Sequence, residues 1–439
     1  MYLAILWHFH QPIYRNPENG VYVLPWVNYH SVKNYYQMAR LVDEMEFPCS
    51  FNFVPCLLEQ IEDYAWERAD DPFQQALEED PNKLTPSQQT LLQEFRPCES
   101  DKKRAQLQAL ISFFSPIVKV KEDKDYLLNL QKEIFNDLLP YYKRLWKKGL
   151  VEMTTSPYYH PLLPLIFDIR SAADEKLPSL PFKHPEDGEA QIEKGKEYFR
   201  KIFGEYPQGL WPSEGGLSQE VAEAIARKDF TFSVTDENIL RKSLKGPFHP
   251  QDLYQPYFSG NLALFFRDRE LSDLLSFEYQ KCKEKEAAHD FLRRLEEKKR
   301  LCQENSICVI ALDGENPWAY YKQNGVPFIK EFFSQIKKKP GIIPIHFQDY
   351  LLKNKPHKEI SLAAGTWTGN FSKWVGIAPK NEAWDILSKA RDLCGEKEEI
   401  FIAEGSDWFW WYGEQNKCEF DFLFKGYIKK AYKLSGIEF

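Results

Sequence analysis

Ile307-Cys308-Val309-Ile310-Ala311-Leu312 runs directly into Asp313-Gly314-Glu315-Asn316-Pro317-Trp318. A continuous apolar run of this length reads as a strand buried on both faces, and the two acids mark its C-terminal end. The same texture recurs along the chain. Leu3 to Trp7 stops at His8-Phe9-His10, Phe51 to Val54 stops at Pro55, and Val151 to Thr155 carries Glu152. Leu210-Trp211 passes through Pro212 to Glu214, Phe230 to Val234 ends in Asp236-Glu237, and Leu262 to Phe266 ends in Arg267-Asp268. These runs make seven candidate strands. Helical patterns lie between them: Ile192, Gly195, Phe199 and Ile202 share one face with Gly204 as C-cap, and Ser218 caps a helix carrying Val221 and Ile225. Strand–helix alternation with polar residues at strand C-termini predicts an α/β fold, a (β/α) barrel with its active site on that face. An open doubly wound sheet is the alternative, but no Gly-rich phosphate loop follows any strand.

Two stretches interrupt the alternation. Residues 60–148, rich in Gln, Glu, Asp, Lys and Leu, read as helical excursions after the second strand. Residues 278–304 read as a charged helix with Phe291, Leu292 and Leu295 as its apolar stripe. Beyond Pro344 the texture becomes Trp-bearing and mainly helical, from Trp367 through Trp408 to Tyr432, with no Ser/Gly linker. The expected organisation is a catalytic barrel over 1–344 and a helical region, 345–439, packed on it.

The 439 residues, with 43% hydrophobic and 28% charged, suit a large globular core and exclude a disordered or collagen-like chain. A formal charge of -8 argues against nucleic acid or an anionic membrane as the main partner. No apolar run approaches the ~20 residues that span a bilayer. The N-terminus runs from apolar residues into His8 and His10 without a basic leader or cleavage site, which predicts a cytoplasmic protein. The eight cysteines form no C-x-x-C pair and are expected as free thiols.

Two carboxylate settings carry candidate chemistry. Trp211-Pro212-Ser213-Glu214-Gly215-Gly216 holds an acid in a constrained turn with an openly approached backbone. Asp313 and Glu315 follow a buried strand. Acids at barrel strand ends suit acid, base or nucleophile roles, against turn capping or ion pairing as the plainer alternative. Glycosidic cleavage uses two carboxyl groups flanking the bond and needs no cofactor. The 12 Trp and 23 Tyr fit that chemistry, because aromatic planes cover the C–H faces of sugars. His8 and His10, an H-x-H on a strand, share a face. Metal ligation with a nearby Asp, a hydrogen bond from His10 to a sugar hydroxyl, and a core role all remain open there. His160, in Tyr158-Tyr159-His160-Pro161, reads as structural as readily as functional.

These residues resemble glycoside hydrolase family 57, the α-amylase and amylopullulanase group. Its first motif resembles His10-Gln11-Pro12, and its second Gly149 to Thr154 running into Ser156-Pro157-Tyr158-Tyr159-His160-Pro161. The third resembles Trp211-Pro212-Ser213-Glu214 and the fourth Leu312-Asp313-Gly314-Glu315-Asn316. Phe266 to Asp273 and the run Glu404-Gly405-Ser406-Asp407-Trp408-Phe409-Trp410-Trp411-Tyr412-Gly413 resemble the amylase and amylopullulanase branch. Gly365 to Asn370 resembles the fifth motif in part.

The resemblance implies an incomplete (β/α)7 barrel with a helical C-terminal region, and a retaining enzyme acting on α-glucans without metal or cofactor. Either α-amylase-like hydrolysis or glucan transfer fits it. Glu214 would be the nucleophile and Asp313 the acid/base. His10, Glu152, Trp211, Glu315, Trp408 and Trp410 would contact substrate, with one ring of the 408–412 segment reaching the cleft. On this reading Glu214 has a low pKa, Asp313 a raised one, and their carboxyl groups lie about 5–5.5 Å apart. A metal-dependent polysaccharide deacetylase using His8, His10 and an aspartate, and a binding protein without catalysis, are the competing functions.

Overall fold

The computed structural model describes residues 1–95, 102–114, 121–356, 358–415 and 417–438. Nine strands form one sheet: β1 (Tyr2–Phe9), β2 (Cys49–Phe53), β3 (Val151–Thr155), β4 (Gly209–Leu210), β5 (Phe232–Asp236), β6 (Tyr257–Ser259), β7 (Leu262–Arg267), β8 (Ile307–Asp313) and β9 (Ile343–Pro344). The seven runs read from the sequence are the main parallel strands, in the order β7-β5-β4-β3-β2-β1-β8. Two short additions escaped the pattern: β6, an antiparallel hairpin partner of β7, and β9, which pairs parallel with the first residues of β1. Each holds too few residues to show a period.

The barrel is incomplete between β7 and β8. Among the described residues no ladder joins them; Asp268 N–H donates to Val309 O at 2.7 Å, and Arg267 Nη1 donates to Ala311 O at 3.0 Å. An arginine side chain thus replaces part of a missing strand ladder.

Two apolar cores follow from burial on both faces. Outside the barrel, helices such as Pro185–Phe203 and Gln219–Arg227 pack Ile192, Phe199, Val221 and Ile225 against the strands. Gly204 ends the first at φ 89° and Ser218 Oγ accepts from Val221 N–H to begin the second, as their positions required. Inside, Leu6, Trp211, Val234, Phe265 and Val309 fill the bore, and Ile345, Phe347 and Tyr350 plug its lower end. The excursion after β2 consists of helices, Pro55–Ala65 to Lys124–Lys147, and Glu284–Arg300 buries Phe291, Leu292 and Leu295. The described cysteines are free; Cys98 lies outside the described residues. No described helix is long and apolar enough to cross a membrane.

The C-terminal region adds helices Ala378–Cys394, Glu398–Ala403, Ser406–Trp411 and Cys418–Leu434. It is tied to the barrel by charge as well as packing: Arg391 grips Asp187 through Nε at 2.6 Å and Nη2 at 2.8 Å, both groups buried. Truncation after Pro344 would strip the plug from the bore, uncovering Phe347 and Tyr350 contacts worth about 1.5–3 kcal/mol each. The expected outcome is an insoluble or inactive fragment, read by expression, circular dichroism and turnover; a soluble and fully active one would refute it.

Candidate active site

The strand C-termini converge where the sequence placed its acids. Inward-facing residues lie in register: His8 pairs with Asp313 across β1 and β8 and with Asn52 across β1 and β2, and Asn52 pairs with Thr154. Glu214 follows β4 in a single 3-10 turn, Ser213–Gly215, with φ 57° and ψ 24°. A left-handed glutamate costs about 1–3 kcal/mol, and such strain persists only where surroundings over-determine it. Here they do. Gly216 must lack a side chain, because a Cβ there would lie 2.4 Å from Leu162 Cδ1, and Trp367 N–H holds the Glu214 carbonyl at 3.0 Å. His160, on the loop after β3, is left-handed too, at φ 58°.

Around the Glu214 carboxyl stands a set drawn from segments far apart in the chain. Ser406 Oγ donates to Glu214 Oε1 at 2.9 Å, and His160 Nδ1 lies 3.0 Å from the same hydroxyl. His10 stacks on His160 with ring centroids 3.8 Å apart and meets Asp407 Oδ2 through Nε2 at 2.6 Å. His8 also stacks on His160, at 5.1 Å, and bonds Asn52 Oδ1 through Nδ1 at 2.7 Å. Trp211 and Trp367 meet edge to face at 5.7 Å beneath His8. On the Asp313 side, Asn316 Nδ2 donates to Oδ2 at 3.2 Å. Arg267 is held by buried Asp236 at 2.7 Å and lies 5.4 Å from the Trp367 ring.

The electrostatics depart from expectation at one point. Burial, then the charges of Asp407 and Asp313, push Glu214 up to about 8, against the donors Ser406 and Trp367. The low value expected for a nucleophile, supported by hydrogen bonds or a nearby cation, is not reached: two donors are outweighed, and His8 and His160 are disfavoured as cations. Burial and the charge of His10 press His8 down to about 3, and burial, His10 and His8 hold His160 well below its ordinary value. Asp313 is raised, in the direction expected, but the charge behind it is Asp407 rather than Glu214 or Glu315: burial lifts it most, Asn316, His10 and Arg267 oppose, and Asp407 adds to the rise. Both acids therefore bind protons more tightly than in water, and each feels the cluster's other charges.

Not every candidate residue joins this set. Glu152 sits one inward layer below Asn52 and Thr154, towards the plugged end. It accepts from Ser50 Oγ at 2.7 Å, Phe347 N–H at 3.0 Å and Gln348 N–H at 2.9 Å, so it caps the helix Phe347–Lys353 rather than facing the mouth. Glu152→Ala should leave KM unchanged and cost ~2–4 kcal/mol of stability through uncapped buried donors. Thermal melting and kinetics separate the two effects; a raised KM with an unmoved Tm would contradict it.

Glu315 is buried beneath the His10-Gln11 turn, where Oε1 accepts from His10 N–H at 3.3 Å and Gln11 Nε2 at 3.4 Å. Burial and then Asp313 raise it well above the carboxyl range, so it is tuned by Asp313 more than it tunes it. Trp211 is buried within the bore. Trp408 donates through Nε1 to Ile402 O at 2.6 Å and is enclosed, and Trp410 rests on Trp374 at 5.1 Å. From the aromatic run, the polar Ser406 and Asp407 meet the cluster while the rings of Trp408, Phe409 and Tyr412 are buried. Helix phase decides this: large rings at 408, 409 and 412 turn onto Phe420, Trp384 and Phe424. Sequence reading assigned no role to Ser406, Asp407, Asn52, Arg267 or Trp367. The available signals were the polar Ser406-Asp407 pair opening the run and the arginine ending β7.

Among the described residues, His10, His160 and Asp407 form a group whose possible ligand atoms all lie within 4.8 Å. Their geometry is that of hydrogen bonds. The 2.6 Å contact between His10 and Asp407 is shorter than the spacing of two ligands about 2 Å from a tetrahedral ion, and the 4.0 Å from His160 to Asp407 is longer. A metal centre does not follow.

Comparison with known proteins agrees with this architecture. The model of glycosyl hydrolase family 57 matches residues 4–363. An alpha-amylase of Pyrococcus horikoshii is 23% identical over 275 residues, which cover 60% of this chain and 38% of that protein. A 4-alpha-glucanotransferase of Thermococcus kodakarensis is 20% identical over 371 residues, 80% of this chain and 46% of that protein. The chain thus spans less than half the length of these relatives. Among solved structures, a branching enzyme from Thermococcus kodakaraensis superposes with a TM-score of 0.70 at 18% identity, covering 99% of this chain and 90% of that one. An alpha-amylase from Thermotoga maritima gives 0.68 at 17%, covering 99% and 92%. The seven-stranded incomplete barrel, the acid-bearing strand ends and the family match over most of the barrel agree, and the chain belongs to glycosyl hydrolase family 57.

Proposed function

We propose that the chain is a retaining enzyme of α-glucans, with Glu214 as nucleophile and Asp313 as acid/base. The observation that carries the reading is the meeting of two carboxyls at the barrel mouth, each raised by burial and by a shared acidic neighbour, Asp407. The charge of Asp313 also raises Glu214, and a pair of carboxyls with perturbed pKa values in one cleft suits an acid and a nucleophile in separate roles. Glu214 attacks the anomeric carbon while Asp313 protonates the departing oxygen; Asp313 then takes a proton from the incoming acceptor. Two unmatched polar atoms in the histidine cluster support a sugar guest: His10 Nδ1 and His160 Nε2 are buried without a protein partner, and sugar hydroxyls both donate and accept.

Relatives named as alpha-amylase and 4-alpha-glucanotransferase support α-glucans as the substrate class. Hydrolysis in the α-amylase manner is the leading activity. Transfer to a second glucan uses the same intermediate with a sugar hydroxyl in place of water. Two helical regions, 60–148 and 278–304, belong to the barrel unit 1–344, and 345–439 completes the site by delivering Ser406 and Asp407.

Stereochemistry tests the reading. Proton NMR of a maltooligosaccharide digest should show first-formed α-anomers, because two displacements at one carbon restore its configuration. First-formed β-anomers would mean single displacement by water and would remove Glu214 from the nucleophile role. Product analysis on amylose and pullulan in the same digest separates hydrolysis from transfer.

A further inference from the structure

Ser406 and His160 stand behind Glu214 in a chain of contacts that the proposed chemistry does not yet use. Glu214 Oε1 receives the Ser406 hydroxyl at 2.9 Å, and Ser406 Oγ lies 3.0 Å from His160 Nδ1. Ser406 and His160 are almost wholly enclosed, at 0% and 2% exposure, so no solvent competes for either contact. An ionised carboxylate only accepts, and a serine hydroxyl has one proton to give. With that proton committed to Glu214, the hydroxyl oxygen is left to accept, and the Nδ1–H tautomer of a neutral His160 is the donor that faces it.

The backbone around this chain is clamped. Ser406 N–H donates to His160 O at 2.9 Å, and Gly405 bridges to Pro161. Gly405 is tightly enclosed, since a Cβ would lie 3.0 Å from Tyr159 O and 3.1 Å from Trp408 Nε1 and would press both outward. Gln191 ties the two loops together behind them, accepting from Tyr159 N–H at 3.0 Å and donating to Glu404 Oε2 at 2.6 Å. Such double fixation holds a hydroxyl to one rotamer and one neighbour.

We propose that Ser406, backed by His160, is the positioning residue of Glu214: the chain His160 Nδ1–H to Ser406 Oγ–H to Glu214 Oε1 holds the carboxylate in one orientation and favours its ionised form. The inference rests on the nucleophile reading only for its kinetic consequence. Other groups surround the same carboxyl: Asp407 from the helix Ser406–Trp411, Asp313 from the end of β8, the Trp367 side chain as a second donor, and His160 Nδ1 at 4.0 Å, with His8 of β1, His10 just after it and Arg267 of β7 in the same cluster. Asp407 and Asp313 oppose ionisation, as does burial, and Ser406 works against them.

The test is a titration of the Glu214 carboxyl itself, by infrared difference spectroscopy on isotopically labelled protein with Glu214→Gln as the subtraction. Ser406→Ala should raise its pKa by about one unit, the usual effect of losing one hydrogen bond to a charged group. Ser406→Thr, which keeps the hydroxyl, should restore it. His160 supplies an independent pair. Asparagine tolerates the left-handed backbone and places an amide N–H near the Nδ1 position, so His160→Asn should stay near wild type, while His160→Gln should rise. An unmoved pKa in both Ser406→Ala and His160→Gln would overturn the proposal. The acid limb of kcat/KM should follow the carboxyl upward. If the carboxyl moves and that limb does not, the chain stands and the nucleophile assignment falls.

Discussion

Glu214→Gln should fold like the wild type and lose more than a thousandfold in kcat, equivalent to roughly 4 kcal/mol or more of barrier. The amide matches the carboxyl in shape and can still accept from Ser406 through its oxygen. It cannot form a stable glycosyl ester at the anomeric carbon, so the double displacement has no first step. The variant should also be no less stable. Burial and the charges of Asp407 and Asp313 raise the wild-type Glu214 carboxyl to about 8, so its ionisation opposes the fold and an uncharged amide removes nothing that supports it. Burial next to Asp407 makes the neutral amide the better-tolerated neighbour. Melting temperature, kcat and KM on a maltooligosaccharide decide the matter. Retention of a tenth or more of kcat would take Glu214 out of the nucleophile role.

Asp313→Ala separates two kinds of substrate. Starch, whose leaving oxygen needs a proton, should lose 10²- to 10⁴-fold, the range typical of general acid catalysis. A glycosyl fluoride or nitrophenyl glucoside needs little protonation, so its glycosylation step should stay fast. The pH profile should change in a defined direction. Asp313 is one of the charges raising Glu214, so its removal lets Glu214 ionise at lower pH and moves the acid limb down. The alkaline limb, which reports the acid losing its proton, should flatten. In the wild type both limbs belong to the coupled pair, since each group feels the same acidic neighbour. Equal loss on both substrates, with binding unchanged, would remove Asp313 from the acid role. Glu315 would then be the next candidate, although its carboxyl lies beneath the His10-Gln11 turn.

Seven strands were legible in the sequence because the signal is local. A strand sealed on both faces must be apolar throughout, and an acid or histidine at its end is as visible as the run itself. Helix punctuation at Gly204 and Ser218 is local in the same way, since a cap satisfies the backbone of its own helix. The positions of Glu214 and Asp313 at the barrel mouth follow from those two rules and parallel connectivity. What each acid experiences was not legible. Glu214 meets Ser406 across 192 residues, and His10 meets Asp407 across 397. The Glu214 pKa rises to about 8 because the converging segments bury the carboxyl and bring the charges of Asp407 and Asp313 to it, against the donors Ser406 and Trp367. Glu152 differs from the mouth residues by a single inward layer of β3, and that step turns it from the cleft to the cap of a helix far along the chain. The aromatic run announced burial, but the phase of a six-residue helix against Trp384, Phe420 and Phe424 decided that Ser406 and Asp407 meet the cluster. Apolar periodicity belongs to a segment and survives without context. Charge, tautomer and orientation are sums over neighbours, and only the folded chain chooses the neighbours.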